Sequence, residues 1–271
     1  MEIRTTHHTR NTISAFLFTL VAMLIPATSS SIEPPKEFSA NYALEIFGTV
    51  LARARYTLEH TENGLSMTQS TRPAGLVALL RNDKIDVRSD MVISNGQILL
   101  VNYDYKHTGD DKDRDVSFKI NWQPDQKQGL SGKASGIYEG QKVDIDLDKP
   151  VWDPLSIQVP IMIHTDKHLP THEHGLFMKG EFKHYLFENL GSEKVKANGK
   201  QYNAIKIVGR ETKRDRAMYV WLVPEFHNLP VKIEQWKEGE LKSTVLLETV
   251  TFDNNGKNRT INLTDNPSDY E

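Results

Sequence analysis

The run Tyr42-Ala43-Leu44-Glu45-Ile46-Phe47-Gly48-Thr49-Val50-Leu51-Ala52-Arg53-Ala54-Arg55-Tyr56-Thr57-Leu58-Glu59 carries the fold in its spacing. Tyr42, Leu44, Ile46, Val50, Ala52, Ala54, Tyr56 and Leu58 share one parity, interrupted at Gly48, while Glu45, Arg53, Arg55 and Glu59 take the other. A period of two is the signature of strands with one wet and one buried face. The rhythm returns in Val116, Phe118, Ile120 and Trp122, in Ile205 with Ile207, and in Tyr219 with Trp221. Asn63-Gly64, Asn95-Gly96 and Asn198-Gly199 are tight hairpin turns, and Glu238-Gly239 joins the runs 230–236 and 241–252. The expected fold is mainly β: one strongly curved antiparallel sheet or open β-barrel, with one or two short helices on its concave side.

Two segments break the rhythm and are the predicted helices. Residues 72–81 (Arg-Pro-Ala-Gly-Leu-Val-Ala-Leu-Leu-Arg) contain good helix formers, with Pro73 suited to a first turn. Asp153-Pro154-Leu155-Ser156 predicts a helix start, Asp153 as N-cap and Pro154 at the first helical position, with Pro160 kinking or ending it. The predicted organisation is a signal peptide at 1–29, one β-rich domain at 30–253 and a polar, flexible tail at 254–271.

The leader reading rests on Arg4 and Arg10, an apolar core at 13–25, and small residues Ala27 and Ser29 before the cut. That core is shorter than the roughly 20 apolar residues of a spanning helix. The chain has 271 residues, no cysteine and a net charge of -3. Without cysteine there is no disulfide framework, no thiol chemistry and no lipoprotein attachment point. A mildly acidic chain offers no strong positive field for nucleic acid. These features together predict a soluble protein of the periplasm of a Gram-negative bacterium, neither lipoprotein nor membrane-anchored.

Three separated blocks carry a resemblance. Gly75-Leu76-Val77-Ala78-Leu79-Leu80-Arg81 is followed by Ser89-Asp90 and by Gly96 through Tyr103-Asp104-Tyr105; Trp152-Asp153-Pro154-Leu155-Ser156 comes next. Last is Tyr219-Val220-Trp221-Leu222, leading to Asn228-Leu229-Pro230-Val231-Lys232-Ile233. In this order they resemble the exported bacterial proteins grouped as domain of unknown function 3108, a resemblance that implies compartment and fold. The final block is also similar to periplasmic lipoprotein carriers, which implies a nearly closed sheet wrapped around helices.

Trp221, Tyr219, Trp122, Tyr103 and Tyr105 are the candidate ligand-binding residues, because large aromatics on a concave face either fill a core or line an apolar pocket. Trp221 is expected to point into the interior. His164, His168, His172 and His174 are the candidate metal ligands, for zinc or copper, since imidazoles spaced by two or four residues can converge on one ion. The bland reading of this cluster is a histidine-rich loop in solvent. No Gly-x-Ser-x-Gly is present, and Ser131-Gly132 and Ser135-Gly136 read as a glycine-rich turn region. Three functions follow. The first is a non-catalytic accessory protein holding a hydrophobic or amphipathic envelope ligand, such as a lipid, lipoprotein or glycan. The others are a metal-dependent envelope hydrolase using the histidines, and a scaffold pairing with an envelope protein through a sheet edge.

Overall fold

The computed structural model describes residues 33–109, 114–124, 129–163, 171–254 and 257–264. The leader therefore lies outside the described residues, as do His164 and His168. Among the described residues sixteen strands form one sheet. A first meander runs β1 (Phe38–Ile46), β2 (Thr49–Thr61), β3 (Gly64–Pro73), β4 (Lys84–Ser94), β5 (Gln97–Thr108), β6 (Val116–Gln123), β7 (Ser131–Tyr138) and β8 (Gln141–Leu147). After the short β9 (Val151–Trp152) and the helix α1 (Gln158–Ile163), a second meander follows. It contains β10 (Thr171–Met178), β11 (Glu181–Ala197), β12 (Lys200–Glu211), β13 (Arg216–Val223), β14 (Leu229–Lys237) and β15 (Glu240–Asn254). The meanders join where β1 pairs antiparallel with β15, so the path runs from β8 through β1 and β15 to β9. Among the described residues, only β9 with β10 is parallel. The result is a mainly β, nearly closed barrel with one seam, between β8 and β9.

The alternation in β1 and β2 sorts the faces. Phe38 pairs with Leu58, Ala40 with Tyr56 and Tyr42 with Ala54, all turned inward, while outward-facing Arg53 meets Glu248 of β15 at 3.0 Å. A register shift between Leu44 and Glu45 sets Val50 opposite Glu45, so the inward parity does not run unbroken through the turn. Asn95-Gly96, Asn198-Gly199 and Glu238-Gly239 have positive φ at both positions, the geometry that matches strand twist. Lys179-Gly180, Glu139-Gly140 and Phe47-Gly48 make the same turn.

Four expectations are corrected. Pro73 ends β3, and the predicted helix over 72–81 is a 3₁₀ turn, Gly75–Leu79, with no buried residue. Gly75, at φ +60°, breaks the chain before a helix can nucleate. Pro160 lies inside α1 rather than ending it, because in a first turn its missing N–H has no acceptor to lose. Residues 257–262 form β16 (Lys257–Asn262) alongside β15, and Leu263 is fully buried, so this part of the tail is built into the sheet. The glycine-rich segment 131–138 is strand β7. A Cβ at Gly132 would sit 2.5 Å from the Trp122 ring, and one at Gly136 2.0 Å from Ser117 O, so glycine admits the neighbouring strand.

Candidate functional site

The concave side is packed by the segment between the meanders. Leu155, Ile157, Val159, Ile161 and Met162 are all buried, and Asn228 Nδ2 donates to Met162 O at 3.1 Å. Its anchor is Asp153. One carboxylate oxygen accepts from Leu155 N at 2.7 Å and Ser156 N at 3.1 Å; the other accepts from Ser156 Oγ at 2.6 Å. Asp153 N donates back to Ser156 Oγ at 3.1 Å, and Ile157 N reaches Asp153 O at 3.1 Å. This is a reciprocal capping arrangement in which Ser156 takes the place of the usual glutamate. It closes a turn over 154–157 rather than the first turn of a helix, so the predicted helix start at Pro154 is corrected to Gln158. Burial pushes the Asp153 carboxyl up, against the pull of its hydrogen bonds from Ser156 and Leu155. Ser89 on β4 is also fully buried; its Oγ completes no hydrogen bond but lies close enough to the carboxylate to favour its charge. Two of the sequence blocks, Ser89-Asp90 and Asp153 through Ser156, therefore meet at one point in the core.

Aromatic rings span the seam. Phe118 of β6 and Phe177 of β10 lie 4.6 Å apart, Phe177 and Phe182 of β11 5.2 Å, and Tyr138 of β7 and Phe177 6.0 Å. Tyr103 belongs here, 5.3 Å from Phe118, and burial followed by the Asp153 charge pushes its phenol up. Tyr105 packs against the same core.

The five predicted binding aromatics do not form one site. Tyr103 and Tyr105 are core. Trp122 lies over Gly132 and donates to Leu100 O at 2.7 Å. Tyr219 and Trp221 face away from the interior: Trp221 pairs with Lys206 on one side and Lys232 on the other, and both ammonium groups lie over its ring, at 5.0 and 4.9 Å. Its indole N–H donates to Glu193 at 2.6 Å, while Val220, Ile207 and Ile233 hold the inward face. The expectation for Trp221 is thus overturned. It is buried under the aliphatic stems of two lysines, not under the barrel's core.

Of the histidines, His172 and His174 stand on β10 with parallel rings 6.2 Å apart. Trp152 Nε1 donates to His174 Nδ1 at 3.2 Å, so that nitrogen carries no proton. Among the described residues no group of three histidine, aspartate or glutamate side chains is arranged to hold a metal, and no helix is long and apolar enough to cross a membrane.

What the interior leaves open is a cleft of about 320 Å³ at the end bearing the Lys179-Gly180, 212–215 and Glu238-Gly239 turns. Pro154, Ile157, Leu176, Met178 and Met218 give it apolar walls, and Tyr185 and Trp236 border it. Opposite Met218 stands Gly209, whose side-chain position is taken by the Phe187 ring. Arg216, Lys237 and Lys242 stand at the mouth. Lys237 and Lys242 are paired with Glu238 and Glu240, whereas Arg216 has no ion pair among the described residues. Tyr185, pushed up to about 12 by burial and by Glu211, stays a neutral phenol, its hydroxyl 3.4 Å from the Glu211 carboxylate. Clefts of about 330 and 540 Å³ at the opposite end are lined around Trp152, Ile163 and His174 and around Trp122, Pro124 and Gly129. Sequence reading missed the cleft at Met218, although Met178 and Met218, flexible gap-fillers, were its signal.

A nearly closed, mainly antiparallel barrel, wrapped around a capped turn and open to an apolar cleft, defines a β-barrel-like protein. The chain belongs to the DUF3108 family of proteins of unknown function, whose profile matches residues 37–245. No curated protein matches it. It is similar in fold to the crystal structure of a β-barrel-like protein of domain of unknown function DUF1849 from Brucella abortus. That similarity has a TM-score of 0.53 at 10% identity, covering 82% of this chain and 100% of that one. A protein from Bacteroides fragilis, described as exported and YmcC-like in fold, aligns at a TM-score of 0.32 and 12% identity, over 81% of this chain and 98% of that one.

Proposed function

We propose that the protein is a non-catalytic binding protein of the bacterial envelope, holding an amphipathic ligand in the cleft at Met218. The observation that carries this reading is the combination of apolar walls with a guanidinium, Arg216, that makes no ion pair among the described residues. Apolar walls reward burial of a hydrocarbon body at roughly 25 cal/mol per Å², and a cation at the rim selects an anionic end. The periplasm is the compartment because the leader at 1–29 has the tripartite form of an export signal and the chain has no cysteine for lipid attachment. N-terminal sequencing of the exported form is expected to begin between Ser29 and Glu33.

The test of binding is titration with an apolar fluorescent probe, followed by displacement with a long-chain fatty acid and its neutral methyl ester. Met218→Trp fills the cleft and abolishes probe binding with an unchanged melting curve. Arg216→Gln weakens the acid by about tenfold, the worth of one charge-assisted contact, and leaves the ester unaffected. Wild-type protein that binds neither probe nor acid defeats the reading.

A further inference from the structure

The barrel end that carries the cleft mouth also holds large apolar side chains in water. Phe47 at the β1–β2 turn is 95% exposed, and Leu76, Leu79 and Leu80 are 80%, 80% and 86% exposed in and just after the 3₁₀ turn. The two turns are neighbours: Ala74 N donates to Leu51 O at 2.9 Å, and Gly75 lies against Val50 O. Strand registers put them at the cleft end, since Glu45 pairs with Thr244, Lys237 with Glu240 and Arg216 with Lys237. Single exposed apolar residues are ordinary, but four in two adjacent turns mark a contact surface.

We propose that these turns are wedges that enter the interfacial layer of a lipid bilayer and bring the cleft mouth to its surface. Two observations choose a bilayer over a protein. Side chains this exposed touch almost nothing of their own chain and so project singly. A fluid apolar phase closes around such wedges, whereas a protein partner would need a matching pocket for each. The link that carries the leucines, residues 72–86, is itself net positive. Arg72 and Lys84 share Asp86, at 3.1 and 2.9 Å, and Arg81 pairs with Asp83, so three cations meet two carboxylates. A positive link beside apolar wedges suits phosphate headgroups above acyl chains. Bilayer contact goes beyond ligand binding and does not require the cleft to be a ligand site.

The experiment is flotation of the mature chain with vesicles of phosphatidylethanolamine and phosphatidylglycerol, alongside sedimentation of the protein alone. Wild-type protein is expected to rise with the vesicles. The triple variant Phe47→Ser, Leu79→Ser, Leu80→Ser is expected to lose at least about tenfold in bound fraction, less than the transfer of three such side chains would allow. Its circular dichroism and melting curve stay unchanged, because these three side chains lie 80 to 95% in water. Met218→Trp, which blocks the cleft, floats like wild type, so failure of one idea is separable from failure of the other. Wild-type protein that stays with the soluble fraction, or a triple variant that floats as well as wild type, overturns the proposal. A wild-type dimer that the triple variant dissociates assigns the patch to a second copy of this chain and overturns it equally.

Discussion

Replacing Asp153 with alanine removes the residue that ties the barrel's internal segment to itself. The side chain accepts three hydrogen bonds, from Leu155 N, Ser156 N and Ser156 Oγ, in a site with no exposure to water. Each donor left unsatisfied in the core costs about 1 to 3 kcal/mol, and loss of a helix cap alone about 1 kcal/mol. Against this, alanine relieves the desolvation of a buried carboxyl, the same burial that pushes its titration up. The balance is a loss of about 3 to 4 kcal/mol, a large part of the 5 to 15 kcal/mol that holds a domain folded. Equilibrium urea denaturation read by tryptophan fluorescence reports it, with Trp152 adjacent to the change. The midpoint should fall by roughly 1 M or more, given slopes of about 1 to 3 kcal/mol per M. Ser156→Ala, which leaves the two backbone bonds to Asp153 in place, should cost less than half as much. A loss under about 1 kcal/mol for Asp153→Ala would show that the cap is incidental and that apolar packing alone seats α1.

Asp153→Asn tests the titration. A carboxyl pushed up by burial binds its proton more tightly in the fold than in the unfolded chain, so its contribution to stability is greatest in acid and declines as pH rises through the folded-state titration. The asparagine variant should lose that decline, and parallel melting curves from acid to neutral pH check it. Trp221→Ala should destabilise by about 3 kcal/mol, in the range for buried tryptophan, yet leave probe binding in the cleft unchanged, since the ring lies under Lys206 and Lys232 on the other face; loss of probe affinity in a folded variant would refute the face assignment. Gly136→Val drives a side chain into Ser117 O and Phe118 and should cost about 2 kcal/mol or more, measured by thermal unfolding; a neutral outcome would mean that β6 and β7 are further apart than described.

The barrel was legible because its signals are local. Alternation in β1 and β2 and the Asn-Gly pairs are properties of a few adjacent residues; they placed the strands and the turns at 95–96 and 198–199, whereas Gly64 begins β3 opposite Thr61 and the turn there is Glu62-Asn63. The Asp153 hydrogen bonds were legible for the same reason, since acceptor, proline and serine lie within four residues, but they close a turn at 154–157 and the helix begins only at Gln158. The 72–81 segment was not. Its composition favours helix, but helix propensity is a weak prior when the segment is a short link between paired strands with Gly75 in a left-handed conformation. The tail failed in a similar way. Asn258, Arg259 and Asn262 make it polar, yet Ile261 and Leu263 needed only the free side of β15 to become part of the sheet.

The site was harder to read, and Trp221 shows why. Period two establishes that Tyr219 and Trp221 share a face; it does not say which face is inside. The neighbouring strands decide that, and they bring Lys206, Lys232 and Glu234 to the same side. A tryptophan among lysines is buried by their stems, so low exposure alone does not place it in the core. The cleft needed even more distant information. Its walls come from Pro154 and Ile157 before the helix, Leu176 and Met178 on β10, and Met218 on β13, segments up to 64 residues apart that meet only when the barrel nearly closes. The same closure sets Phe47 and Leu79 at that end. An apolar side chain can be read from sequence as a core candidate, but whether it lines a wall or projects into water depends on which end of the barrel its turn reaches.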